Sequence, residues 1–179
     1  LRPDPAMEKI YDVTMLCSLI DYEAKRHTWK EKYGEVIAKI MDEAVELTLA
    51  DSTTSYVQAL VNAVDKYMEF HHNLDPRKID FISIMDDLEL FIKGKSRVDL
   101  VKAVKDAQVH IFGSTTDTAG WEKYLGKSHK NCVIHESVPF EQAIDIQKQS
   151  KIVLNACPWV KNGAHERIFY GLACGALPI

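Results

Sequence analysis

Residues 132–155 read CVIHESVPFEQAIDIQKQSKIVLN. A short apolar, partly β-branched run at 132–136 is followed by small and polar residues, then by a helix-like stretch at 139–149, then by a second apolar run at 151–155. Pro139 suits the first turn of a helix, where its missing N–H is no loss and its φ is already helical. Working outward, the same grammar recurs: QVHIFG at 108–113 before the quoted stretch, and after it a helix-like segment at 164–174, Gly175 as a helix-ending glycine, and ALPI at 176–179. YDVTMLC at 11–17 supplies one more buried-strand pattern. Strand then helix, repeated, argues for a parallel sheet with right-handed crossovers. The expectation is therefore an α/β, Rossmann-like fold with about five strands flanked by helices.

Residues 23–107 interrupt that alternation. Trp29, Tyr33, Val36, Ile37, Ile40, Met41, Ala44, Val45 and Leu47 recur at a spacing of three or four, as do Tyr56, Leu60, Val61, Val64, Tyr67 and Met68. NLDPR at 73–77 breaks the pattern, and residues 78–92 resume it. KGKS at 93–96 is expected to end it again before Val98, Val101 and Val104 open a last helix. One crossover helix would suffice, so 23–96 reads as a helical insertion between the first and second strands of a single domain, 1–179.

The composition bounds the function. A chain of 179 residues with 22 basic and 26 acidic side chains, net charge -4, has no polyanion-binding tract, so nucleic acid is not an expected partner. The longest apolar runs fall well short of the roughly 20 residues of a membrane span, and the N-terminal residues lack the order of a secretory signal. The expected location is cytoplasmic. Cys17, Cys132, Cys157 and Cys174 form no CxxC pair and have no histidine partner at zinc spacing, so no disulfide framework or structural metal is expected.

In open parallel sheets the ligand lies beyond the carboxyl ends of the strands, where the strand order reverses. That rule selects Cys17 and Ser18 together with Asn155, Ala156, Cys157 and Pro158. The helix expected from about Ala164 follows the fourth strand, so its unpaired N–H groups and positive dipole end face the same crevice, and Gly163 admits an anion close to the backbone. An ordinary helix start accounts for part of this: Asn162 serves as N-cap, or Gly163 does with Glu166 as the capping carboxylate. Neither account employs His165 or Arg167, both donors able to reach a pyrophosphate.

Other chemistry reads as bland. Cys17 lacks the arginine six positions on that a phosphatase nucleophile needs, since that position is Glu23. GSTTDTAG at 113–120 lacks the terminal Gly-Lys-Ser/Thr of a nucleotide-hydrolysing loop. His71 and His72 suit a helix end, Asp86 and Asp87 a solvated helical face, and His110 and His135 the edge of the core.

VHIFGS at 109–114, VIHESVPFEQAIDI at 133–146, KIVLNACPWVKNGAHERIFYGLACGALPI at 151–179 and, more weakly, YDVTMLCSL at 11–19 together resemble the donor-binding half of nucleotide-sugar glycosyltransferases with two facing Rossmann-like domains. Within them, the resemblance is to the group that includes spore-maturation-type glycosyltransferases. The insertion lies outside it. The resemblance implies that Gly163, His165 and Arg167 face the donor diphosphate, with His165 and Arg167 as the catalytic pair that steadies the leaving group. It implies that Ser18 and Arg26 approach the phosphates, that Gly113 and Asn155 close the strand ends of the donor site, and that Glu136 and Val138 border the base. Where many related enzymes carry a ribose-binding glutamate this chain has Tyr170, and at the companion acidic position it has Asn162; Glu166 is the remaining carboxylate nearby. No metal or cofactor is implied, the nucleoside diphosphate sugar being the substrate. The acceptor half is expected in a preceding domain or partner chain, so the sequence reads as a partial enzyme. The alternatives are a non-enzymatic nucleotide-binding or assembly module, and a sugar-nucleotide epimerase or hydrolase, which needs acid and base carboxylates in the cleft.

Overall fold

The apolar runs become the strands β1 (Tyr11–Leu16), β2 (Val109–Phe112), β3 (Cys132–His135), β4 (Ser150–Leu154) and β5 (Leu177–Pro178). They pair in the order β3-β2-β1-β4-β5, and every pairing is parallel. The computed structural model describes residues 2–3, 6–71, 74–113, 118–126, 130–161 and 163–179. The helices are α1 (Tyr22–Ala50), α2 (Tyr56–Phe70), α3 (Phe81–Ala103), α4 (Thr118–Leu125), α5 (Phe140–Lys148) and α6 (Glu166–Ala173). The fold is α/β and Rossmann-like, with helices between β1 and β2 where one crossover would serve.

The chain divides into two units, one of Leu1–Leu19, Ser96–Cys157 and Ala164–Ile179, the other of Ile20–Lys95 and Pro158–Gly163. The first unit carries the sheet. Val13, Met15, Val109 and Ile111 are almost fully buried at its centre, with Val98, Val101 and Trp121 of the flanking helices. Thr14 and Ser150 are buried polar residues of the sheet: their hydroxyl oxygens lie 2.9 Å apart, and the Ser150 hydroxyl donates to the Ile146 carbonyl at 2.6 Å. The Lys9 ammonium donates to the carbonyls of Lys148 (2.7 Å) and Gly175 (2.9 Å), placing a cation at the negative ends of α5 and α6. Gly175 closes α6 as its spacing predicts, with Ala176 N–H on the Gly171 carbonyl and Gly175 N–H on that of Leu172, both 3.0 Å.

The second unit is helical, and its described residues form no strand. Asp21 and Ser55 cap α1 and α2 by accepting from Ala24 N–H and Gln58 N–H. Ala44, Ala59 and Ala63 have no exposed surface, so these two helices approach closely. α1 is not straight. Gly34 sits at φ 84°, ψ 164°, and the guanidinium of Arg26 holds the Asp42 carboxylate bidentately at 2.7 and 2.8 Å although the two are 16 positions apart. A straight helix would separate them by about 24 Å. The helix therefore folds back on itself at Gly34 as a hairpin.

Two expectations need correction here. KGKS at 93–96 does not end a helix, because α3 runs through it; a Cβ on Gly94 would lie 2.8 Å from the Ile20 carbonyl, so this glycine permits close packing. Asp87 is not on a solvated face. Its side chain is 16% exposed and accepts from the Tyr33 hydroxyl (2.6 Å) and the Lys32 ammonium (2.9 Å), which together hold its carboxyl below the usual range against the opposing effect of burial.

Candidate functional site

β2 and β3 lie to one side of β1, and β4 and β5 to the other, so the strand order reverses between β1 and β4. Leu16 ends β1, and Leu154, paired to Met15, ends β4. A cavity of about 230 Å³ opens there. Leu16, Val153 and Leu154 line it from the sheet, Phe140, Ala143 and Gln147 from α5, and Glu166, Arg167 and Tyr170 from α6. Three residues singled out in the sequence thus converge on one cavity at the reversal point, where open parallel sheets take their ligands.

The start of α6 differs from expectation. The N-cap is His165, not Asn162 or Gly163, and its Nδ1 accepts the Arg167 N–H at 3.2 Å while its carbonyl accepts that of Ile168 at 3.0 Å. His165 therefore has the structural duty that the sequence denied it, and two of the helix's leading N–H groups are already engaged. The same bond fixes the tautomer. With Nδ1 accepting, the proton of a neutral imidazole sits on Nε2, which is a donor. Glu166 and Arg167 are both exposed.

The other expected residues are dispersed. Ser18 is exposed, and its carbonyl accepts from the Arg97 guanidinium at 2.7 Å. Gly113 is buried; its N–H donates to the His135 carbonyl at 3.2 Å, and a Cβ there would sit 2.3 Å from the Cys17 carbonyl oxygen. That crowding gives Gly113 a packing role between the ends of β1 and β2. Glu136 is exposed and Val138 half-buried in the turn after β3. Asn155 N–H donates to the Ile179 carbonyl at 2.6 Å, and its amide oxygen accepts from the Cys157 thiol. None of these five lines the cavity. Arg26 belongs to the helical unit and is committed to Asp42, and Gly163 is exposed and also falls in that unit. Asn162, like residues 114–117 and His72, lies outside the described residues.

Sequence reasoning missed Phe140, Gln147 and Arg97. Phe140 is 60% exposed and meets Tyr170 edge to face at 5.8 Å, so an aromatic pair borders the cavity. Gln147 is 6% exposed yet lines it, with only a 3.4 Å bond from its amide nitrogen to the Ala143 carbonyl. The signal was an amide at a core-facing position of α5, in step with Phe140 and Ala143. Arg97 had no such signal, since it stands within an ordinary helix.

His110 and His135 also form a unit that their apolar strands did not reveal. His110 Nδ1 lies 2.8 Å from His135 Nε2, His110 Nε2 lies 2.9 Å from Gln108 Oε1, and the His135 ring stacks on Phe112 at 4.4 Å. Burial lowers both imidazoles below their ordinary range, and the neighbouring His135 lowers His110 further. No helix among the described residues is long and apolar enough to cross a membrane, and they contain no group of three or more His, Cys, Asp and Glu side chains able to hold a metal ion.

No curated protein matches the chain. Residues 97–179, which begin on α3 and include β2 to β5 and the whole cavity apart from Leu16, match the family model described as glycosyl transferase-like, and this similarity supports a glycosyltransferase.

Proposed function

We propose that the sheet unit binds the donor of a glycosyltransferase, a nucleoside diphosphate sugar, in the cavity between α5 and α6. The observation that carries the reading is the convergence of Glu166, Arg167 and Tyr170 on one cavity at the β1/β4 reversal, within the segment that matches the family. Transfer breaks the bond between the anomeric carbon and the diphosphate oxygen, and negative charge grows on the departing diphosphate. Arg167, exposed at the cavity wall, offers two parallel N–H donors to that charge, and the positive end of α6 adds a fixed dipole. His165 stands at the same helix end as its N-cap. Glu166 accepts from donor hydroxyls in place of the carboxylate that Tyr170 replaces, and the Phe140–Tyr170 pair offers a ring edge and face to the apolar part of the ligand. The acceptor comes from a second domain or a partner chain.

Calorimetric titration with uridine, guanosine and adenosine diphosphates and their sugars tests this. Submillimolar binding of at least one is expected. Arg167→Ala should weaken it by about 1–3 kcal/mol, the range for losing a charged hydrogen-bond partner, and leave the melting temperature almost unchanged. Equal affinity of wild type and variant removes Arg167 from the site, and absence of binding favours an assembly module.

A further inference from the structure

The hairpin of α1 borders a second, open cavity, in the helical unit and outside the segment matched by the glycosyl transferase-like family. Its volume is about 340 Å³, the size of a small-molecule site and too small for a folded chain segment. It shares no lining residue with the cavity between α5 and α6. Arg26, His27 and Lys30 line it from the arm before Gly34, and Lys39 from the arm after. Its carboxylates are Glu35 and Asp42.

The charge arrangement leaves a cationic excess. Lys30 and Lys39 approach the single carboxylate of Glu35 from opposite arms, at 3.3 and 3.2 Å. Both lysine side chains are 72% exposed, so these pairs rearrange readily when a stronger anion arrives. Arg26 spends Nε and Nη2 on Asp42, which leaves Nη1 to donate elsewhere. Against these two carboxylates stand three cationic side chains, Arg26, Lys30 and Lys39, one more than they balance.

A separate observation concerns the cavity wall. Trp29 is 1% exposed, packs against Phe91 at 5.4 Å, and its indole N–H is one of only two buried side-chain polar atoms among the described residues without a hydrogen-bond partner. The other belongs to Trp121, which lines neither this cavity nor that between α5 and α6. A buried donor left unsatisfied is costly unless something else accepts from it. Trp29 thus lines the same space as a guanidinium, two ammonium groups and an imidazole. We propose that the α1 hairpin is a binding site for a small anion of the phosphate class, gripped between Lys30 and Lys39 with Arg26 at one side and accepting from Trp29.

The test is a titration of the full chain with pyrophosphate, followed by the indole ¹H–¹⁵N signals, with Trp29 assigned by Trp29→Phe. The Trp29 signal should move saturably. A Lys30→Ala/Lys39→Ala double variant should weaken the response at least tenfold, and Arg167→Ala should leave it unchanged. Unmoved Trp121 and Trp159 signals in the unliganded double variant verify that it is folded. A static Trp29 signal, equal affinity in the lysine variant, or loss of the response in Arg167→Ala overturns the proposal. The last outcome would assign the pyrophosphate to the sheet unit, whereas a failure of nucleotide binding at Arg167 leaves the hairpin site standing.

Discussion

Replacing Gly34 by alanine separates two descriptions of α1 by the sign of one number. At φ 84°, ψ 164° the residue occupies a region of backbone space open essentially to glycine alone. A Cβ there meets nothing within 4 Å, so a steric clash with neighbours contributes nothing and the whole cost is conformational. That cost is of order 1–3 kcal/mol. Alanine also has fewer unfolded conformations to lose, which returns about 0.4–1 kcal/mol. The expected net effect is destabilisation by about 1–2 kcal/mol. In a straight helix the same change would instead stabilise the protein by about 0.5–1 kcal/mol, since glycine is the poorer helix former. Urea denaturation of the full chain, followed by far-ultraviolet circular dichroism, measures the difference. An unchanged or raised midpoint for Gly34→Ala would refute the hairpin, and with it the proximity of Arg26 and Asp42. That pair is itself a poor reporter, because its side chains are 48% and 37% exposed and such pairs contribute no more than about 1 kcal/mol.

Gly113→Ala should destabilise the sheet by more than the roughly 1–3 kcal/mol typical of overpacking, because the new Cβ meets backbone at 2.3 Å and no side chain can give way; a midpoint shift below 1 kcal/mol would show that the ends of β1 and β2 slide apart cheaply. The His110–His135 pair predicts a pH dependence. Both imidazoles are depressed in the folded state, so the unfolded chain binds protons first, and stability should fall as pH drops below the ordinary histidine value near 6.5, levelling off once the folded-state values are passed. Denaturation at pH 7.5 and 5.5 should show this loss, reduced in a His110→Phe/His135→Phe double variant; an equal loss in that variant would assign it to other groups.

Much of the sheet unit was legible because its signals are local. β-branched apolar runs become strands, Pro139 and Gly175 mark helix ends through their own backbone preferences, and the alternation implies parallel pairing. The rule about strand ends, which depends only on topology, brought the start of α6 with Glu166 and Arg167 to the crevice, whereas Tyr170 was singled out by the resemblance, and Ser18 and Asn155, which the rule also selected, do not line the cavity. The cap of α6 was misread. Asparagine is the better N-cap by itself, but the cap of α6 falls on His165, whose Nδ1 accepts the Arg167 N–H, while Lys161 donates to the carbonyls of Thr48 and Asp51 at the end of α1.

The sequence by itself determined the five strands and most of the helices, though not α4, which begins inside a stretch that reads as loop, nor the continuity of α3 through 93–96. Tertiary structure alone decided where α1 turns back and which polar groups meet. Apolar residues recur at helical spacing on both sides of Gly34, and a lone glycine inside such a pattern marks a modest local cost without a direction. The reversal comes from partners far along the chain: Trp29 is buried against Phe91, and Arg26 reaches Asp42. His110 and His135 likewise sit 25 positions apart and become a hydrogen-bonded pair only through the register that sets Phe112 opposite His135. Local propensity acts over a turn or two, while burial and hydrogen bonding act between whichever groups the fold brings together, so no pattern in the sequence near either histidine could show its partner.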